Sequence, residues 1–189
     1  MKLNNKYYIM RHGEALSNVK EIVSSWPEKF ENPLTRKGRE MVKKSVGELK
    51  GIKIDLIFNS DLLRTQETAD IVGKILNVKP QQDKKLREIQ FGTLNGGSVE
   101  HFVKYFENRE QRIKKGTPGG ESYLDVSKRV AGFLKEIDRK YKNKNILIVS
   151  HQLPLFILEG YVDGLSLLKV IREFPAERML RRGQLRELN

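Results

Sequence analysis

The run NILIVS at 145–150 constrains the possible folds of this chain more than any other stretch. It is continuously apolar, rich in β-branched residues, and ends on Ser150-His151. Such a run predicts a strand buried on both faces, as in the interior of a parallel sheet. Two more apolar runs have the same form. Residues 6–10 (KYYIM) lead straight into Arg11-His12, and IDLIFNS (54–60) leads towards Arg64.

Helical patterns lie between these runs. A helix is predicted from Thr35, which serves as N-cap, with Met41, Val42, Val46 and Leu49 on one face. SDLLRTQETADIVGKIL carries Leu62, Leu63, Ala69, Val72, Ile75 and Leu76 at helical spacing, with Ser60 or Asp61 as the cap. LREIQFGTLNGG reads as a loop, and residues 98–114 as a helix with Phe102, Tyr105 and Phe106 on its apolar side. KGTPGGES breaks that helix. Glu121 and Ser122 are then expected to cap another, whose apolar stripe runs through 126, 130, 133, 134, 137 and 141. A further helix is expected after Pro154, and GQLREL reads as a short last strand. Strands alternating with helices give an α/β class: a three-layer sandwich with a mostly parallel central sheet and helices on both faces. The 189 residues are expected to form one domain, 1–189.

Composition narrows the function. With 38% hydrophobic and 32% charged residues the chain has a soluble balance. NILIVSHQLPLFILEGYV is broken by His151, Pro154 and Glu159, so no membrane partner is expected. The amino-terminal apolar run is too short for a secretory signal, which leaves the cytoplasm as the expected location. The absence of cysteine excludes disulfides and thiolate chemistry. A net charge of +12 favours anionic ligands. Nucleic acid is not the expected partner, because no reader motif accompanies the charge.

Ligands of parallel α/β sheets sit beyond the carboxyl ends of the strands. Three strand ends here deliver Arg11-His12, Arg64 and His151 to one rim, and two of the chain's three histidines are among them. Arginine's planar fork suits phosphate oxygens. Two arginines beside two histidines describe a phosphoryl site better than a metal site, since the cations would repel a metal ion. No metal or other cofactor is expected.

These residues carry a resemblance. RHGEALSN resembles the signature of the histidine phosphatase superfamily, which includes the cofactor-dependent phosphoglycerate mutases. NPLTRKG, IFNSDLLRTQETADIV, LREIQFGTLNG, PGGES, ILIVSHQ and GQLREL follow in the family's order. The resemblance implies a phosphoglycerate-mutase-like fold and a phosphohistidine on His12. Arg11, Arg64 and a protonated His151 would neutralise the phosphoryl oxygens, with Glu88 as general acid and base. It also implies that Asn18 contacts the phosphoryl group. Gly13 is expected to let backbone amides approach the phosphate, with Glu14 in a supporting part. His101 is expected at the surface or against the substrate, without a catalytic role.

One departure stands out: HQLP replaces the two glycines that usually follow the family's second histidine, placing Gln152 and Leu153 at the phosphate site. Gln152 could still donate its backbone amide there. Mutases of this type carry a long lid, whereas only about twenty residues separate Gly97 from Pro118, a lid short enough to admit water. The expected activity is therefore metal-independent hydrolysis of a small phosphomonoester. A phosphoglycerate mutase and a non-catalytic phosphate-binding module are the alternatives. Residues 95–117 and 19–34, including Trp26 and Phe30, are expected to set selectivity.

Overall fold

A computed structural model describes residues 2–49, 51–173 and 176–189. In chain order the elements are β1 (Lys6–Arg11), α1 (Leu16–Val19), α2 (Arg36–Val46), β2 (Leu56–Asn59), α3 (Leu63–Leu76) and β3 (Pro80–Gln82). They continue with α4 (Val99–Lys104), α5 (Gln111–Lys114), α6 (Tyr123–Lys140), β4 (Asn145–Ser150), α7 (Gln152–Val162), α8 (Leu167–Glu173) and β5 (Leu185–Glu187). Among the described residues, five strands form one sheet in the order β3-β2-β4-β1-β5, with β5 alone antiparallel.

Side-chain alternation along the strands builds the layers. Tyr7, Ile9, Phe58, Ile146 and Ile148 face one core with α6, α7 and α8, through Phe133, Leu134, Phe156 and Ile171. Their neighbours Tyr8, Met10, Ile57, Leu147 and Val149 face a second core with Val42 and Val46 of α2 and Ala69 and Val72 of α3. Each fully buried Leu, Ile or Phe contributes about 1.5–3 kcal/mol. A slip of one residue would turn both faces inside out, so register is strongly specified. That register places Arg11 beside Ser150 and Asn59 beside Val149. The carboxyl ends of β1, β2 and β4 therefore finish at one rim. No helix of the described residues is long and apolar enough to cross a membrane.

Local chemistry sets several boundaries differently from the periodicity. The stretch 98–114 is two short helices, α4 and α5. Asn108 Oδ1 accepts from the Gln111 amide at 3.0 Å, a side-chain contact that starts a new helix where the first has ended. Helix α3 is preceded by Leu62, not by a Ser60 or Asp61 cap. The Ser60 hydroxyl is drawn to His151 and the Asp61 carboxylate to Arg87. Helix α7 begins at Gln152, ahead of Pro154, because a proline in the first turn gives up no helical hydrogen bond. Thr35 and Ser122 cap α2 and α6 as expected. Glu121 does not cap; its carboxylate binds Arg129.

Two glycines bring α2 against the loop that leaves β1. A Cβ on Gly13 would lie 2.5 Å from the Gly38 carbonyl oxygen, and one on Gly38 would lie 2.0 Å from that of Glu14. Both obstacles are backbone, which cannot rotate aside. Gly38→Ala is therefore expected to cost about 1–3 kcal/mol, lowering Tm by roughly 2–12 °C in a thermal melt. An unchanged Tm would contradict this packing.

Candidate active site

The rim of the sheet opens into a cavity of about 240 Å³ whose lining includes Arg11, His12, Asn18, Arg64, Glu88 and Gln152. His12 is held there by backbone. Its amide donates to the Ser150 carbonyl at 3.1 Å, continuing the β1–β4 ladder one residue past the strand. Its ring Nδ1 lies 2.7 Å from the Gly13 carbonyl oxygen. A carbonyl only accepts, so Nδ1 carries the proton and Nε2 keeps its lone pair. Burial, then the charges of Arg64 and Arg11, hold the His12 pKa well below the ordinary value of 6.5. The imidazole is neutral near pH 7.

Arg64 stands on the first turn of α3, buried. Its Nε donates towards His12 Nε2 at 3.3 Å, while one terminal nitrogen donates to Glu28 Oε1 and the other to the Ser24 carbonyl, both at 2.9 Å. Arg11 donates through one terminal nitrogen to the Leu180 carbonyl at 3.1 Å, and its Nε is buried without a partner. Burial lowers the Arg11 pKa to about 10, which leaves it cationic at neutral pH. His151 follows β4, its ring 5.2 Å from that of His12. His151 Nε2 meets Ser60 Oγ at 2.9 Å and its buried Nδ1 has no partner. Burial and the neighbouring Arg64 push its pKa well below 6.5, so the ring by itself is neutral near pH 7; the protonated state expected from the sequence is that of a ring beside a phosphoryl group.

Glu88 reaches the cavity from the loop after β3. One carboxylate oxygen accepts from the Ile89 amide at 3.0 Å. Burial raises the Glu88 pKa above 4.5, against the opposing pull of that amide and of Arg64 and Arg11. Arg129 of α6 fastens the loop: it forks onto Glu121 at 2.9 and 3.0 Å and donates to the Lys85 and Glu88 carbonyls. Arg87, the neighbour that might have neutralised Glu88, is instead bidentate to Asp61 at 2.7 and 2.6 Å.

Six of the eight residues singled out from the sequence line this cavity, and His151 stands against His12 behind it. Asn18 Oδ1 accepts from the Ala15 amide at 3.0 Å, closing α1 while the side chain faces the cavity. Gln152 and Leu153 both line the wall, and the Gln152 side chain donates through Nε2 to Met179 Sδ at 3.3 Å. Gly13 is the exception. Its amide donates to Thr68 Oγ1 at 3.2 Å, so it is not offered to a phosphate, and its missing side chain is explained by contact with Gly38. His101 is exposed and off the cavity wall. Trp26 and Phe30 do not line it either; Trp26 stacks under Arg87 at 4.2 Å. Glu28, Ser24, Ser60, Thr68 and Arg129 were not legible as supporting groups. Among the described residues, no three His, Asp or Glu side chains are grouped to hold a metal ion.

The family model described as histidine phosphatase superfamily (branch 1) matches residues 7–175. The chain belongs to the histidine phosphatase superfamily. It is 29% identical over 163 residues to a protein from Escherichia fergusonii named "Probable phosphoglycerate mutase GpmB", covering 84% of this chain and 74% of that one. Among solved structures, it superposes on Bacillus stearothermophilus YhfR with a TM-score of 0.82 at 24% identity, covering 96% of this chain and 89% of that one. The alpha-ribazole phosphatase from Shigella flexneri gives a TM-score of 0.80 at 25% identity, with coverage of 96% and 89%.

In this histidine phosphatase superfamily member, the raised Glu88 pKa is also a statement about stability. A carboxyl whose folded pKa exceeds its unfolded value contributes stability that is full below about pH 4.5 and is lost as pH rises through the folded value. At neutral pH the fold therefore carries the cost of a desolvated carboxylate. Glu88→Gln is expected to melt at a higher temperature than the parent at pH 7–8, the gap closing as pH falls towards 4.5. A variant less stable than the parent at pH 7 would contradict the burial of this group.

Proposed function

We propose that this protein is a metal-independent phosphatase that hydrolyses a phosphomonoester through a phosphohistidine on His12. One observation carries the reading. A buried imidazole has its Nδ1 proton committed to a backbone carbonyl and its Nε2 lone pair directed to Arg64, in a cavity it shares with Arg11 and Glu88. Nothing in a structural role requires that combination, and each part has a use in phosphoryl transfer.

In the first step, the Nε2 lone pair attacks phosphorus as the ester P–O bond breaks. The Glu88 carboxyl, whose protonated form burial favours, gives its proton to the departing oxygen. Arg11 and Arg64 balance charge on the phosphoryl oxygens, and His151 offers its unpartnered Nδ1 to the same group. A dianion so close favours the protonated imidazole, so His151 takes up its proton when the phosphoryl group arrives. In the second step, Glu88, now a carboxylate, takes a proton from water. The water oxygen attacks phosphorus, and the N–P bond returns its electron pair to Nε2.

Relatives support both hydrolysis and transfer: one is named a phosphatase and another a probable mutase. The short segment between Gly97 and Pro118 favours hydrolysis, because it folds as two short helices and leaves the cavity open to water. A pure phosphate-binding module would gain nothing from a buried acid at Glu88.

Leaving groups test the assignment. Glu88→Gln is expected to lower kcat/KM for alkyl phosphates about 10²–10⁴-fold, and to affect 4-nitrophenyl phosphate, whose leaving group needs no proton, far less. His12→Asn should abolish phosphate release from both. Equal losses for the two substrates in Glu88→Gln would contradict a general acid. Interconversion of phosphoglycerate isomers without net phosphate release would favour the mutase.

A further inference from the structure

Glu88 must present a proton from one oxygen in one direction, yet it stands on an irregular stretch of the loop between β3 and α4. That stretch is gripped from α6 and from the turn before it. Arg129 donates through Nη1 to the Lys85 carbonyl at 2.7 Å and through Nη2 to the Glu88 carbonyl at 3.2 Å. Glu121 takes the rest of the guanidinium, and its Oε2 also accepts from the Gln90 amide at 3.0 Å. Arg129 does not line the catalytic cavity. It stands on the other side of the loop, where Trp26, Lys84 and Glu121 wall a smaller depression with it. Any influence it has on chemistry at His12 therefore passes through the loop.

The peptide between residues 88 and 89 is the connection. Among the described residues the only cis bond is Trp26–Pro27, so this peptide is trans, a plane whose C=O and N–H point to opposite sides. Arg129 holds the Glu88 C=O on one side. The Ile89 N–H must then point to the other, where it donates to Oε1 of the Glu88 side chain itself at 3.0 Å. The two bonds share one amide and reinforce each other, because a cation on the carbonyl makes the N–H a stronger donor. An oxygen that accepts from an N–H is the poorer place for a proton. The second oxygen, Oε2, accepts no hydrogen bond among the described residues, so the acid proton belongs there.

We infer that Arg129 is a positioning residue for the general acid: it fixes the peptide plane after Glu88, so that the Ile89 amide occupies Oε1 and Oε2 presents the proton to the leaving oxygen. This inference rests on reading Glu88 as the general acid. Without Arg129 the plane is free to turn, and the carboxyl loses both its amide partner and its fixed direction. The charges that face Glu88 are Arg64, Arg11 and Arg129, and the Ile89 amide acts with them to favour the carboxylate. Loss of Arg129 removes one cation and that amide together, and both changes favour the protonated form. The proton is then held to higher pH but no longer aimed.

Ethyl phosphate, 4-nitrophenyl phosphate and the Ile89 amide signal test it. Arg129→Met is expected to lower kcat/KM for ethyl phosphate about 10–100-fold, with the descending limb of its pH profile moved to higher pH. Hydrolysis of 4-nitrophenyl phosphate should change by less than about threefold, because its leaving group needs no proton. Arg129→Lys, which keeps one donor but not the fork, should show the same pattern to a smaller degree, and it replaces the methionine variant if that one does not fold. Adding Arg129→Met to Glu88→Gln should cost nothing further on ethyl phosphate. In ¹⁵N-labelled protein, the Ile89 amide should shift as Glu88 titrates in the parent and lose that dependence in Arg129→Met. Equal losses on the two esters, additive losses in the double variant, or an Ile89 amide that still follows Glu88 without Arg129 would overturn the inference. An Ile89 amide that follows Glu88 only when Arg129 is present, in a parent protein that hydrolyses neither ester, would uphold the orientation of the carboxyl and overturn the phosphatase reading.

Discussion

The hydrogen bond from His12 Nδ1 to the Gly13 carbonyl determines what the rest of the rim can do. At 2.7 Å it commits the ring proton to the backbone, and the lone pair on Nε2 is then the only one the ring can offer. Strand pairing aims that nitrogen, because the His12 amide still belongs to the β1–β4 ladder through Ser150. The Gly13 amide is tied in turn to Thr68, whose hydroxyl donates to the Arg64 carbonyl at 2.7 Å. His12 and Arg64 are thus joined through α3 and cannot drift independently.

Charge around this ring is arranged in two tiers. Arg11 and Arg64 face the cavity, and with burial they keep both histidines neutral before anything binds. Behind them, carboxylates hold cations in position: Glu28 takes the far side of Arg64, and Glu121 anchors the arginine that steadies the Glu88 loop. Burial then acts on Glu88 with the opposite consequence, favouring its protonated form beside the same arginines. Burial in one cavity therefore favours a neutral imidazole at His12 and the protonated form of Glu88, shifting the two groups in opposite directions.

Much of the architecture could be read from local patterns. Continuous apolar runs marked β1, β2 and β4, helical stripes marked α2, α3 and α6, and Thr35 and Ser122 announced their own caps. Convergence of Arg11-His12, Arg64 and His151 followed from where those strands end. What escaped depends on distance or depth. Glu28 meets Arg64 and Ser60 meets His151 across 36 and 91 positions of sequence, and no spacing rule links them. The depth of His151 behind the rim, which lowers its pKa, is likewise not written in its sequence neighbours. Trp26 and Phe30 looked like substrate contacts for being aromatic on a nearby loop, yet packing turns Trp26 onto Arg87. The lid helix failed at Asn108, where a side chain competed with the backbone for the same amide.

The site and chemistry of phosphorylation test the central claim most directly. Protein labelled with ¹⁵N-histidine can be quenched in alkali during turnover of a slowly hydrolysed phosphomonoester, then read by phosphorus–nitrogen NMR and peptide mass spectrometry. The proposed reaction predicts phosphate on residue 12, joined through Nε2, because Nδ1 is committed to Gly13. Phosphate joined through Nδ1, or found on another residue, would contradict it.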